Sequence, residues 1–268
     1  MINHRTIYNT ILELAPAELA ENWDPIGPTL TWPDDQTTNV VLSLDLTNKA
    51  LKLAKENGAN LIITHHPFLF NSIQNINADN VEQRLLLELA ENRITCYAAH
   101  TNLDAAIGGV AESFLKVALS GLDLESEIDI LIPDSEIIGA GQGRIVNLKQ
   151  STYLSTLIKT IEKNLKTVCQ TNTDEDQRIL RIAVCPGAFE ESWIDELVRQ
   201  KVDMLLVGEI KHHVTVMLHE RNIVLAAAGH GASEQTIIPY LADYLRKKFP
   251  ELNFAENEGI VYNYLRSK

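Results

Sequence analysis

What this chain has little of narrows its roles first. Cysteine is scarce: Cys96, Cys169 and Cys185 are odd in number, far apart and without a C-x-x-C pair. That argues against a disulfide framework and predicts a reduced, cytoplasmic setting. Cys96 and Cys185 lie in apolar runs, where packing is their expected role. No apolar run approaches the roughly 20 residues that cross a bilayer, so no membrane association is expected. Met1 to Arg5 lacks the charged-then-apolar layout of a secretory signal. Positive charge is also in deficit. The net charge of −13 opposes broad binding to a nucleic-acid backbone. A small anionic substrate stays open, because bound metal ions reverse a local field. There is no Gly-x-x-x-x-Gly-Lys-Ser/Thr loop to cradle phosphates. The remainder is ordinary: 45% hydrophobic and 22% charged residues in a chain of 268, enough to bury a substantial core.

The chain reads as alternating helices and strands. Residues 4–21 carry the spacing of an amphipathic helix, broken or restarted at Pro16. Glu21 to Asn39, with Trp23-Asp24-Pro25-Ile26-Gly27, reads as loop. Val40 to Leu44 is a strand ending in Asp45. Thr47 is placed to cap a helix over Lys49 to Asn57, and Gly58 to end it. Leu61-Ile62-Ile63 is a buried strand that delivers His65 and His66 to its carboxyl end, where Pro67 stops a hydrogen-bonded continuation. A helix over Asn80 to Asn92, a strand over Ile94 to Ala99 and a helix from Gly108-Gly109 to about Leu119 follow. Ile128 to Ile132 and Arg144 to Leu148 look like strands flanking a Gly139–Gly143 turn, because the glycine cluster lacks the complete spacing and following helix of a dinucleotide loop. Ser151 to Lys166 is expected to be helix and Gln170 to Gln177 surface loop. From Ile179 the first pattern returns: strand Arg181 to Cys185, helix Glu190 to Arg199, strand Val202 to Val207, helix Val214 to Glu220, strand Ile223 to Ala228, and a helix to about Phe249, interrupted or kinked at Pro239. Val261 and Tyr262 suggest a last short strand.

Placed side by side, the two halves echo each other. Each has strand, helix, strand, a double histidine (His65-His66; His212-His213), helix and strand. The last strands end in Ala98-Ala99-His100 and Ala227-Ala228-Gly229-His230, and an acid stands four residues after each terminal histidine, Asp104 and Glu234. Duplication predicts an α/β fold of two interlinked, pseudo-repeated halves with strand ends facing one cleft, the edge where open α/β sheets bind ligands. The expected segments are 1–127, 128–178 and 179–268. His65, His66, Asp104, His230 and Glu234 together offer three imidazoles and two carboxylates. That set suits Zn, Fe, Mn, Ni or Co better than Mg or Ca, and a bridging carboxylate would allow two ions about 3.5–4 Å apart. Both acids could instead serve at helix N-termini. Asp45 reads as a helix cap or as an acceptor behind a ligand, with the cap favoured. Lys211 beside His212 and His213 favours a surface or supporting role for that pair.

Leu61 to Phe70, Ala99 to Gly109 and Gly229 to Glu234, in that order, resemble the NIF3-like dinuclear-metal family, whose members are also called GTP cyclohydrolase 1 type 2 proteins. The resemblance covers nearly the whole chain, including the Trp23 loop and Gly208-Glu209-Ile210-Lys211-His212-His213. It implies a toroidal homohexamer and two divalent metals per subunit held by His65, His66, Asp104, His230 and Glu234, with Glu234 the choice for the bridge. His100 stays a supporting or additional polar group. The family name implies opening of the guanine ring of GTP by metal-activated water with loss of formate. Another hydrolytic substrate such as a phosphoester, or a non-catalytic metal-binding regulatory scaffold, are the alternatives. Pro25 departs from the family's Trp-Asp-Asn-x-Gly and puts substrate contact from that loop in doubt. The spacing between halves implies the short form, without an inserted middle domain.

Overall fold

A short run that is apolar at every position suits a strand buried on both faces of a sheet, and that is what Leu61-Ile62-Ile63 and Met204-Leu205-Leu206-Val207 become. The computed structural model describes residues 2–259. In chain order it begins with α1 (His4–Leu14), capped by the Asn3 side chain on Thr6 N, and a 3-10 turn at Ala17–Leu19 after Pro16. Strand β1 (Gly27–Leu30), β2 (Asn39–Ser43), α2 (Asn48–Glu56), β3 (Leu61–Thr64), α3 (Val81–Glu91), β4 (Thr95–Ala98) and α4 (Thr101–Ala105) follow. Next come α5 (Val110–Ala118), β5 (Leu124–Pro133), β6 (Gly141–Tyr153), α6 (Leu154–Leu165), β7 (Gln170–Thr171), β8 (Arg178–Ala188), α7 (Ile194–Arg199), β9 (Met204–Glu209), α8 (His212–His219), β10 (Val224–Ala227) and α9 (His230–Glu234). The last described elements are α10 (Ile237–Lys248) and β11 (Asn253–Glu256).

Of the described residues, those of Met1–Ala106 and Ile238–Gly259 form one compact unit and those of Ile107–Ile237 the other. The sequence boundaries at 127 and 178 follow the repeat rather than these units. In unit one the strand order is β1-β4-β3-β2-β11. β2, β3, β4 and β11 run parallel and β1 antiparallel to β4. One face carries Val41, Ile62 and Cys96 under α2 and α3, through Leu51, Ala54, Leu85 and Leu89. Tyr97 faces the other way and stacks on Tyr8 of α1 at 4.3 Å between ring centroids. In unit two the order is β5-β6-β8-β9-β10-β7, with β8, β9 and β10 parallel. Alternate residues serve opposite faces. Val184, Leu206 and Ala226 pack toward α5 and α6 residues such as Phe114 and Leu157, whereas Ala183, Leu205 and Leu225 pack toward Leu197 and Leu218 of α7 and α8. Each buried Leu, Ile or Val stabilises its unit by about 1.5–3 kcal/mol.

The repeat shows in topology: β2-α2-β3-α3-β4 and β8-α7-β9-α8-β10 are both parallel runs of neighbouring strands, each with an antiparallel strand beside its last member, β1 on β4 and β7 on β10. Those two flanking strands lay inside expected loops. Pro28 obscures β1 in sequence, and is tolerated because an edge strand leaves some amides unpaired. Three boundaries also move. Ser151 to Tyr153 belong to β6 rather than to the following helix, because Thr152 and Tyr153 pair with Ile179 and Arg178. Gly141 and Gly143 lie inside β6, so the turn is residues 134–140 and its flanks are regular strands. Pro239 falls in the first turn of α10, where a missing N–H costs nothing, and does not interrupt it. Val261 and Tyr262 lie outside the described residues.

Candidate metal centre

Unit one places its donors by extending β-sheet hydrogen bonding past the end of β3. His65 N donates to Ser43 O at 3.1 Å and His66 N to Leu44 O at 2.9 Å, so the two residues are fixed in register beyond the strand. The imidazoles are then oriented through Nδ1. His65 Nδ1 donates to the Ala99 carbonyl at 2.9 Å, His66 Nδ1 to Asp45 Oδ1 at 2.7 Å, and His100 Nδ1 to Asp24 Oδ2 at 3.0 Å. An oxygen acceptor on each Nδ1 places the proton there and leaves the lone pair on Nε2, the arrangement that carboxylates and carbonyls behind metal-ligating histidines produce. One ring nitrogen from each of His65, His66 and His100 lies within 4.8 Å of the others, a spacing that could hold a metal ion. Asp104 Oδ1 lies 3.5 Å from His65 Nε2. Three imidazoles and a carboxylate with fixed tautomers fit a transition metal or zinc, not an all-oxygen cation.

Asp24 is the post behind His100. Its side chain is fully buried, and it accepts from Thr101 N at 3.0 Å and from the Thr101 hydroxyl as well as from His100. Burial alone would raise its carboxyl, but the His100 and Thr101 hydrogen bonds outweigh it and hold the group below its ordinary value. Trp23 and Phe70 set ring edges against His100 at 6.1 and 6.0 Å between centroids. The Trp23 loop thus acts through Asp24, a role that Pro25 leaves intact because Ile26 N still closes the loop on Asp24 O at 2.9 Å.

Unit two builds a second set at the end of β10. Gly229 N donates to Gly208 O, carrying the β9–β10 pairing one step further, and α9 begins at His230. His230 Nε2 is 3.0 Å from Glu234 Oε2, one helical turn on, and His230 Nδ1 is 3.2 Å from Glu209 Oε1. Glu234 is buried. Two glycines make its place. A Cβ on Gly187, at φ +60°, would stand 2.3 Å from Glu234 Oε1, and one on Gly208 would stand 2.6 Å from Ser233 Oγ. Ser233 Oγ in turn accepts from Gly187 N and donates to His230 O. A cavity of about 570 Å³ opens beside this set, lined by Glu209, His212, Thr215, Gln170 and Thr171 together with His230.

The strand registers align the two halves differently from the sequence echo. Registers put Thr64 opposite Ala98 and Val207 opposite Ala227, so the counterparts of His65 and His66 are Gly208 and Glu209. His212 and His213 open α8 instead, and His213 is exposed and paired with Glu191 at 2.8 Å. Neither acid is a helix N-cap: His100 and Gly229 hold those positions. Thr47 caps α2 as its position predicts, accepting from Ala50 N, and Asp45, for which the cap is the favoured reading from sequence, takes the alternative role of acceptor from His66 Nδ1. Asp24 and Glu209 were missed. Glu209 could have been found by aligning strand ends rather than histidine pairs.

The fold agrees with what the chain is similar to. A family model described as Duf34/NIF3 (NGG1p interacting factor 3) matches residues 2–261. The "GTP cyclohydrolase 1 type 2 homolog" of Lactococcus lactis is 31% identical over 238 residues, 87% of this chain and 88% of that protein. The protein of the same name from Clostridium perfringens is 29% identical over 247 residues, 90% of each. A crystal structure of a Bacillus cereus protein related to NIF3 superposes with a TM-score of 0.87 at 18% identity, covering 100% of this chain and 99% of that one. With the family model spanning residues 2–261, almost the entire chain, this protein belongs to the DUF34/NIF3 family.

Proposed function

We propose that the protein is a divalent-metal-dependent hydrolase with a dinuclear centre, whose ligands are His65, His66, Asp104, His230 and Glu234, with Glu234 the bridging carboxylate. One observation supports it most: His65, His66 and His100 have every Nδ1 engaged by a carbonyl or carboxylate oxygen, a tautomer pattern that a packing role for three histidines does not need. The family resemblance and the names of the curated relatives agree with metal-dependent chemistry. Bound divalent ions would supply Lewis acidity and a water whose pKa is lowered toward neutrality. The chain's own residues do the rest. Asp45 and the Ala99 carbonyl orient the ligating imidazoles. Asp24 keeps a proton on His100 Nδ1. Glu209, His212 and Thr215 line a cavity large enough for a nucleotide-sized substrate.

Ring opening of GTP with formate release is the specific reaction proposed, from the resemblance and the relatives' names; a phosphoester is the other substrate class. The homohexamer and a cytoplasmic location belong to the same reading. No helix among the described residues is long and apolar enough to cross a membrane. The test is a metal-replete screen of the purified chain over GTP, other nucleotides and phosphoesters, with formate and phosphate measured alongside metal content. About two ions per chain with metal-dependent formate release is the expected result. Metal-free protein after mild purification would remove the hydrolase reading. Two ions with no turnover of any substrate would favour the regulatory scaffold.

A further inference from the structure

His230 stands between two carboxylates, with Glu234 at Nε2 and Glu209 at Nδ1, 3.0 and 3.2 Å away. A neutral imidazole has one N–H and can donate to only one of them. We propose that Glu209 is the positioning residue of the second half-site: it holds the proton of His230 on Nδ1, so that Nε2 keeps its lone pair beside the buried Glu234 carboxylate for a divalent cation. This rests on reading His230 as a metal ligand.

Three features carry it. First, the partition between the acids is set by burial. Glu234 is 3% exposed and held under Gly187, whereas the Glu209 side chain is 55% exposed at the rim of the adjoining cavity. A buried carboxylate next to a ring nitrogen is the better place for a cation, and a solvated one is the better place for a hydrogen bond that needs no further partners. Second, the same device occurs twice in unit one, where Asp45 and Asp24 accept from His66 Nδ1 and His100 Nδ1. Third, the strand registers explain where the acid comes from. Glu209 occupies in β9 the position that His66 occupies after β3. The repeat that supplies a ligand in one half therefore supplies, in the other, an acceptor that aims a ligand.

The test titrates Zn(II) into the metal-stripped full chain against a competing chelator, for the wild type, Glu209→Ala, Glu209→Gln and His230→Ala. Removing such an outer partner lowers metal affinity by about 10–100-fold, which is the loss expected for Glu209→Ala. Glu209→Gln should lose less, because its amide oxygen still accepts from Nδ1–H. Nitrogen NMR of the imidazole in the metal-free chain should show the Nδ1–H form of His230 in the wild type and a shift toward Nε2–H in Glu209→Ala. A purely structural role would move neither, and the melting midpoint of the metal-free variant should match the wild type, since a hydrogen bond to a largely solvated carboxylate contributes little. Wild-type affinity in Glu209→Ala alongside weakened binding in His230→Ala would overturn this inference and leave the metal reading standing. Unchanged binding in His230→Ala would remove His230 as a ligand and this inference with it.

Discussion

Gly187→Ala isolates what the second half-site demands of the backbone. The residue is the last but one of β8, at φ +60°, and its missing side chain is what lets Glu234 approach: an added Cβ would lie 2.3 Å from Glu234 Oε1 and 3.7 Å from His230 Cε1. Two costs follow. The left-handed backbone conformation costs an L-residue about 1–2 kcal/mol. Overpacking a tight site costs about 1–3 kcal/mol more. Glu234 has little room to yield, because it is 3% exposed and its other oxygen lies 3.0 Å from His230 Nε2. The expected loss is therefore about 2–5 kcal/mol, to be read by urea unfolding of the metal-free chain. The variant should also lose metal affinity, because the carboxylate is displaced. A double-mutant cycle separates the two costs. With Glu234→Ala the overpacking component disappears, so the combined loss should fall short of the sum of the single losses by about 1–3 kcal/mol. Strictly additive losses, or a Gly187→Ala protein as stable as the wild type, would refute the account of Gly187.

Three further outcomes are expected. His65→Ala or Glu234→Ala should lower metal content with the fold largely kept, checked by elemental analysis beside circular dichroism; the His65 change should also cost about 1–3 kcal/mol, because it strips the Ala99 carbonyl of its buried donor. Asp24→Asn should flatten the acid limb of stability. The folded carboxyl titrates below its unfolded value of 3.8, so the unfolded chain binds more protons between the two values. The stabilisation is thus present above 3.8 and lost as pH falls through the folded value, and unfolding midpoints of wild type and variant should converge at low pH; a constant gap would count against it. Burial pushes the thiols of Cys96, Cys169 and Cys185 to about 12, so a disulfide reagent at pH 8 should label the native chain slowly and all three cysteines after denaturation.

The sequence alone pointed to the buried strands, because Leu61-Ile62-Ile63 and Met204 to Val207 are short runs, apolar at every position, that suit a sheet covered on both faces. It also determined which side chains end those strands, since His65, His66, His100 and His230 follow directly where the apolar runs stop. Local chemistry sufficed for Thr47 and Gly58, which act on their own helix. What the tertiary structure decided is everything that depends on a partner distant in sequence. β1 and β7 are strands only because β4 and β10 offer them an edge. Asp45 abandons its own helix for His66, Asp24 reaches His100 across 76 residues, and Gly187 matters because Glu234 fills the space a Cβ would take. Hydrophobic periodicity is a property of a segment and can be read from it. The proton position on an imidazole is set by whichever oxygen the fold brings to its other nitrogen, and no segment contains that oxygen.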